Sequence, residues 1–327
     1  MPVARRQLVD VTVTPYYHVI SRCVRRAHLC GRDFHTGKNF DHRKEWLVER
    51  IRTLAGIFAV KVFAYAVMSN HYHLVIALEP ARAREWSDHE VVARWGQLFK
   101  RSSDRLLQIP VNMRQRFVDR WRERLADLSW FMRCLNESIA RRANREDGCT
   151  GRFWEGRFKS QALLDEGAVV TCMCYVDLNE VRAGIVGKLR DSRFSSIGER
   201  LRNRPQSTWL AKFQSEAGHL SAIGPSDTKR ELLGVIPVDF TNYLELLRAT
   251  AHALKVSKAE RLSGAAANTV ESVGLDPGAF VQAVRTYSLR FFGMVGHVDR
   301  LRVACARWGR KRSRGAAAAR LLYRRAA

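Results

Sequence analysis

The chain has 327 residues, enough to bury a good core and to hold two domains. Its 56 Lys and Arg against 32 Asp and Glu leave a formal charge of +24 and a pI near 10.5, the footprint of a surface for a polyanion, nucleic acid above all. Hydrophobic residues make up 46%, with no uninterrupted apolar run long enough to span a bilayer, which argues against a membrane protein.

The opening MPVARRQLVDVTVT has no apolar core after its two arginines, so no export is expected. Seven cysteines, an odd number without Cys-x-x-Cys spacing, read as reduced thiols of a cytoplasmic protein and speak against a zinc site. Residues 11–24 read as a first strand, with Pro15 early, where a strand start tolerates it. A helix is predicted over 41–57, with Trp46, Leu47, Ile51, Leu54 and Ala55 as its buried stripe. Residues 62–78, VFAYAVMSNHYHLVIAL, are β-branched and apolar on both sides of Met68-Ser69-Asn70 and read as a hairpin. Side chains alternate along a strand, so His71 and His73 share one face and Tyr72 points to the other. Two imidazoles side by side on a rigid strand can hold a divalent metal. By spacing alone, two surface histidines are read slightly sooner, because most metals need more ligands.

A helix follows at 88–107. The charged stretch to Arg124 reads as a surface insertion with partial helix, and a clearer helix occupies 127–144. FKSQALL, 158–164, is a strand, after which Asp165 can cap a helix from Glu166 to Ala183, closed by Gly184. On that helix Thr171, Tyr175, Asn179 and Arg182 are spaced to share a face. They read as nucleophile (Tyr175), oxygen ligand (Asn179) and anion clamp (Arg182), or as a half-buried tyrosine beside a solvated arginine. Basic clusters occur at Arg141-Arg142 with Arg145, at Arg152-Arg157-Lys159, and at Arg310-Lys311-Arg312-Arg314. In GRFWEGRFK, Phe153, Trp154 and Phe158 alternate with the cations, a pattern suited to stacked bases beside phosphates. Residues 201–226 read as a linker, and 227–327 as a basic helical domain with helices near 243–247, 280–287 and 315–325.

SNHYHLVI followed by YVDLNEVRAGIV resembles the single-tyrosine HUH transposases, and within them the REP-associated tyrosine transposases of bacteria. The resemblance spans roughly residues 1–200, from YYHVISRCVRR through LSWFMRCLNESIARRANREDGCTGRFWEGRFKSQ to SRFSSIGE. It implies an α+β catalytic domain with a ferredoxin-like antiparallel sheet covered by helices, followed by an all-α extension. It also implies a transposase that cleaves and rejoins single-stranded, hairpin-forming DNA through a 5′-phosphotyrosine. Tyr175 falls on the catalytic tyrosine. His71, His73 and Asn179 fall on the ligands of Mg²⁺ or Mn²⁺. Arg152, Trp154, Arg157, Lys159 and Arg182 are the expected DNA contacts, and a cytoplasmic, nucleoid-associated protein is expected. A monomer and a homodimer both remain open, as does a non-catalytic hairpin-binding protein on the same fold. Three departures stand out: Tyr72 where the family has an aliphatic residue, Glu180 where it commonly has proline, and a longer segment over 86–127. Glu180 is expected to influence the metal or the approach of phosphate.

Overall fold

The computed structural model describes residues 8–24, 30–31, 37–203, 207–214, 235–256, 261–311 and 313–323. The apolar hairpin forms as predicted. Strands β1 (Tyr16–Arg22), β2 (Val60–Val67) and β3 (His71–Leu78) pair antiparallel, β3 between the other two. The Met68 N–H bonds to the His71 carbonyl at 2.8 Å and closes the β2–β3 turn. β4 (Lys159–Leu163) lies antiparallel on the far side of β1. Nearly every residue of β2 and β3 is buried, because helices cover both faces of the sheet.

On one face, α1 (His42–Ile57) packs against α6 (Leu128–Glu146). The wholly buried Arg43 of α1 pairs with Glu146 and Asp147 at the end of α6, so a cation inside the fold keeps its counter-charges. Asp127 caps α6 by accepting the Trp130 N–H at 2.9 Å.

The segment before α6 is more regular than the sequence suggested. It forms α2 (Pro80–Glu85), α3 (Asp88–Leu98), α4 (Lys100–Leu106) and α5 (Val111–Leu125). The single helix expected over 88–107 breaks at Phe99, whose φ of −139° and ψ of 64° are not helical. Trp95 of α3 and Trp121 of α5 stack at 5.5 Å between ring centroids. Tertiary stacking of this kind holds a charged helix whose own apolar stripe is narrow.

On the other face runs α7 (Glu166–Asp177), capped by Asp165, whose carboxylate accepts the Ala168 N–H at 2.9 Å. The predicted helix to Ala183 is interrupted at Leu178, and a short α8 (Asn179–Arg182) follows. Gly184, at φ +68°, then supplies the left-handed turn expected of it.

The region after 200 differs most from expectation. Part of the predicted linker is ordered: α9 (Ser196–Asn203) continues the first region, and residues 207–214 run along β2. There the Ala211 N–H bonds to the Val62 carbonyl at 2.7 Å and Trp209 stacks on Tyr65. Pro205, Gly218, Gly224 and Pro225 lie outside the described residues, as does Arg312.

Six helices follow: α10 (Phe240–Lys255), α11 (Gly264–Ser272), α12 (Pro277–Arg285), α13 (Tyr287–Arg290), α14 (Val298–Arg307) and α15 (Ala316–Leu322). The three expected helices correspond to α10, to α12 with α13 after a break at Thr286, and to α15, while α11 and α14 had not been marked by the sequence. The extension is nevertheless not all-α. Its β5 (Met294–Val295) adds to the open edge of β4 in parallel, so the sheet runs β2-β3-β1-β4-β5 and is mixed rather than antiparallel. Two residues carry no period, so a strand this short leaves no sequence signal.

The same C-terminal residues grip α7 along its length. The Asp165 carboxylate accepts from the Tyr323 hydroxyl and the His297 N–H, and Asp177 accepts from the Tyr243 hydroxyl at 2.8 Å. Gly167 is required where they approach, since a Cβ there would lie 2.7 Å from Leu275 and 2.9 Å from the Val273 carbonyl. Among the described residues all seven cysteines are free thiols, and no helix is long and apolar enough to cross a membrane.

Candidate active site

Strand alternation divides β3 as predicted. The buried Tyr72 faces α6, where its hydroxyl donates to Asn136 Oδ1 at 2.5 Å and Asn136 in turn donates to Ser21 Oγ at 3.0 Å. His71 and His73 face the other way, toward α7, with ring centroids 4.9 Å apart and planes at 80°. His73 meets the Tyr175 ring edge-on at 5.5 Å. Elements about a hundred residues apart in sequence thus bring the histidine pair and the helical tyrosine together.

They share a cavity of about 580 Å³, lined also by Arg22, Glu155, Arg157, Lys159 and Ser160, and by Tyr287, Ser288, Phe291, Phe292 and Gly293 from the C-terminal region. Three cations at the mouth against one carboxylate favour an anionic occupant. Tyr175 is 5% exposed and, among the described residues, its hydroxyl makes no hydrogen bond. Its ring is sandwiched: Tyr287 stacks on it at 4.6 Å and 23°, and the Arg182 guanidinium lies 4.7 Å from its centroid.

Burial governs the protonation of this face. It pushes His18 and His71 down to about 4 and His73 well below the ordinary imidazole range, with neighbouring imidazoles and arginines adding to the effect on His73. All three rings are therefore neutral near pH 7. Nδ1 of His71 lies 2.5 Å from Asn70 Oδ1, an acceptor, so the proton resides on Nδ1 and Nε2 keeps its lone pair. His73 Nε2 is buried and has no hydrogen-bond partner among the described residues. Burial also raises the Tyr287 phenol well above its ordinary value.

The remaining expected residues are distributed unevenly. Arg157 and Lys159 line the cavity. Arg182 is spent on the Tyr175 ring and on the Arg285 carbonyl, to which it donates at 3.1 Å. Asn179 is buried and does not line the cavity; its amide nitrogen has no hydrogen-bond partner among the described residues. Glu180 is likewise buried outside the cavity, its carboxyl raised by burial. Arg152 is exposed, away from the cavity lining.

Trp154 and Phe153 are buried, against the expectation of exposed rings. The Trp154 indole N–H donates to the Asn136 carbonyl at 2.9 Å and its ring packs on Tyr72, so neither offers a face to a base. The sequence marks aromatics between arginines but not which side of the chain the core covers.

Sequence reasoning did not single out His18, Gln161 or Tyr287. His18 Nε2 lies 2.9 Å from His73 Nδ1, and His18 Nδ1 lies 3.1 Å from Gln161 Oε1. Gln161 Oε1 also accepts from the Tyr287 hydroxyl at 2.8 Å, while Gln161 Nε2 donates to the Phe291 carbonyl at 2.8 Å. The available signal was His18 between the apolar Tyr17 and Val19 of β1; Gln161, after Lys159 and Ser160 in β4, and Tyr287 had none. Among the described residues there is no cluster of three or more His, Cys, Asp or Glu arranged to hold a metal.

No family model matches the chain, and no curated protein matches it. A solved structure of a REP-associated tyrosine transposase bound to a REP hairpin overlaps 62% of this chain and 87% of its own, at 14% identity and a TM-score of 0.37. A likeness at that level supports no conclusion about this chain.

Proposed function

We propose that the protein cleaves and rejoins single-stranded, hairpin-forming DNA as a transposase, with Tyr175 as nucleophile. The observation that carries this reading is the shared cavity, where the Tyr175 phenol, without a hydrogen bond among the described residues, lies against a histidine pair and shares the lining with Arg22, Arg157 and Lys159. We read β1–β4 with α1 and α6 as a ferredoxin-like sheet, on the strand order β2-β3-β1-β4 with every neighbour antiparallel.

The residues fit a divalent metal such as Mg²⁺ or Mn²⁺. Two neutral imidazoles keep lone pairs at Nε2, that of His73 buried without a partner, and neutral imidazole is a common ligand. His71 and His73 would hold the ion; Asn179, the expected amide ligand one turn after Tyr175, is buried outside the cavity lining and does not stand with them. When bound, it would act as a Lewis acid on the scissile phosphate. The protein's own groups do the rest. Arg157, Lys159 and Arg22 bind the backbone on either side of the cut. The Tyr175 oxygen attacks phosphorus and gives its proton to solvent water, the P–O3′ bond breaks, and the departing 3′-oxygen takes up a proton from solvent. The products are a 5′-phosphotyrosine and a free 3′-hydroxyl. Bond energy is conserved, so a second 3′-hydroxyl can reverse the step and join strands without ATP.

A second reading, a hairpin-binding protein without turnover, is favoured by the packing of Tyr175 between Tyr287 and Arg182 at 5% exposure. One experiment separates the two. Full-length protein is incubated with Mn²⁺ and labelled single strands carrying palindromes from around its own gene. A denaturation-resistant adduct mapping to the Tyr175 peptide is expected, and none with Tyr175→Phe, which still binds the strand. Binding without an adduct in the unaltered protein leaves the second reading standing. Cleavage without an adduct points to activated water and a nuclease.

A further inference from the structure

The buried polar groups beneath the histidine pair form a single chain whose proton positions follow from its far end. The Phe291 carbonyl can only accept, so the Gln161 amide must turn its nitrogen there and its oxygen toward His18 and Tyr287. That oxygen accepts from the Tyr287 hydroxyl and can only accept from His18 as well, so His18 carries its proton on Nδ1. A neutral His18 then has a lone pair at Nε2, and the only proton available to the 2.9 Å contact is on His73 Nδ1. His73 is therefore left with a bare Nε2, the same atom that is buried and unpartnered. The His71 lone pair is placed the same way by a different acceptor, Asn70.

Resting on the reading of His71 and His73 as metal ligands, we infer that His18, Gln161 and Tyr287 are positioning residues. They set the His73 tautomer and hold its Nε2 lone pair ready for the ion. Ligating histidines commonly donate their second ring nitrogen to an acceptor that fixes ring orientation and raises basicity. Here that acceptor is another histidine, itself set by a glutamine. The glutamine is locked by Tyr287 and Phe291, whose helix and loop precede β5 in the C-terminal region. The C-terminal region is thus part of the site and contributes more than cover. The Tyr287 ring stacks on Tyr175 while its hydroxyl holds Gln161, so one residue braces both the nucleophile and the ligand relay.

The test reads protons directly and needs neither DNA nor turnover. Metal-free full-length protein with ¹⁵N-labelled histidine rings is examined by long-range ¹H–¹⁵N NMR, and Mn²⁺ affinity is measured separately by the loss of free-ion EPR signal. In the unaltered protein, His18 and His73 are both expected in the Nδ1–H form. Gln161→Met, near-isosteric but without an acceptor, is expected to mix the His18 and His73 tautomers and to weaken Mn²⁺ binding roughly 10- to 100-fold. Tyr287→Phe keeps the stacked ring and removes only the hydroxyl. It is expected to move both readouts in the same direction by less, which guards against a Gln161→Met variant that fails to fold. An Nε2–H His73 in the unaltered protein overturns the relay. So do tautomers and Mn²⁺ affinity that stay unchanged in both variants. An unaltered protein with the derived tautomers but no Mn²⁺ binding upholds the relay and sinks the metal assignment, so the two failures are distinguishable.

Discussion

The two faces of β3 carry polar side chains at successive positions, yet they end in opposite states. On the α6 face, Tyr72, Asn136 and Ser21 bond in series and Trp154 closes over them. On the α7 face the series His73–His18–Gln161–Tyr287 is bonded at every joint, but at its first member His73 Nε2 has no partner among the described residues. An unpartnered buried nitrogen costs roughly 1–3 kcal/mol. The face with bonds in series is the packed one, and the face with the unpartnered nitrogen is the one that borders the cationic cavity.

The largest expected effect breaks the open face. His73→Ala should abolish strand cleavage in Mg²⁺ and Mn²⁺ while leaving single-strand affinity within a few-fold, because affinity comes from phosphate contacts. Normal cleavage by this variant would remove the metal role from β3. The closed face should respond in the opposite sense. Tyr72→Phe is expected to lower stability by about 1 kcal/mol in urea unfolding, since it removes the hydrogen bond to the half-buried Asn136, while cleavage persists. A Tyr72→Phe variant that folds normally but loses the adduct would make both faces catalytic.

Acid should also separate the faces, through His18. An unfolded chain binds a proton near pH 6.5, whereas burial holds the folded ring neutral down to about 4. The stability this ring contributes is therefore full above pH 6.5 and is lost as pH falls from there to about 4. The urea midpoint of the metal-free protein should fall across that window, and His18→Asn should flatten the fall. A midpoint that rises toward acid would contradict burial as the governing cause.

The smallest effects concern the rim. Single-strand binding should weaken with salt at a log–log slope of about −0.7 per phosphate neutralised. Arg157→Ala, at the cavity mouth, should reduce that slope by about 0.7, and Arg152→Ala, exposed elsewhere, should change it less. Equal responses would mean that the +24 charge acts as a diffuse field and not as a track leading to Tyr175.

Local physics was legible in the sequence. Strand period placed His71 and His73 together and turned Tyr72 away, and Asp165 announced the helix it caps. Tyr175 stood out by its helical company, and the structure sets it against His73. These features depend on neighbours a few residues away, where backbone geometry alone dictates direction. The structure decided what depends on which element covers which. Phe153 and Trp154 are buried because α6 and Tyr72 lie over them, although their spacing beside arginines matches that of a base-stacking surface. β5 exists because two residues reach an open sheet edge. His18, Gln161 and Tyr287 form a relay because strands 143 residues apart pair in one register and a helix 126 residues further on docks above them. Periodicity reports the direction of a side chain and is silent about its partner, since a partner so distant in the chain is chosen by packing alone.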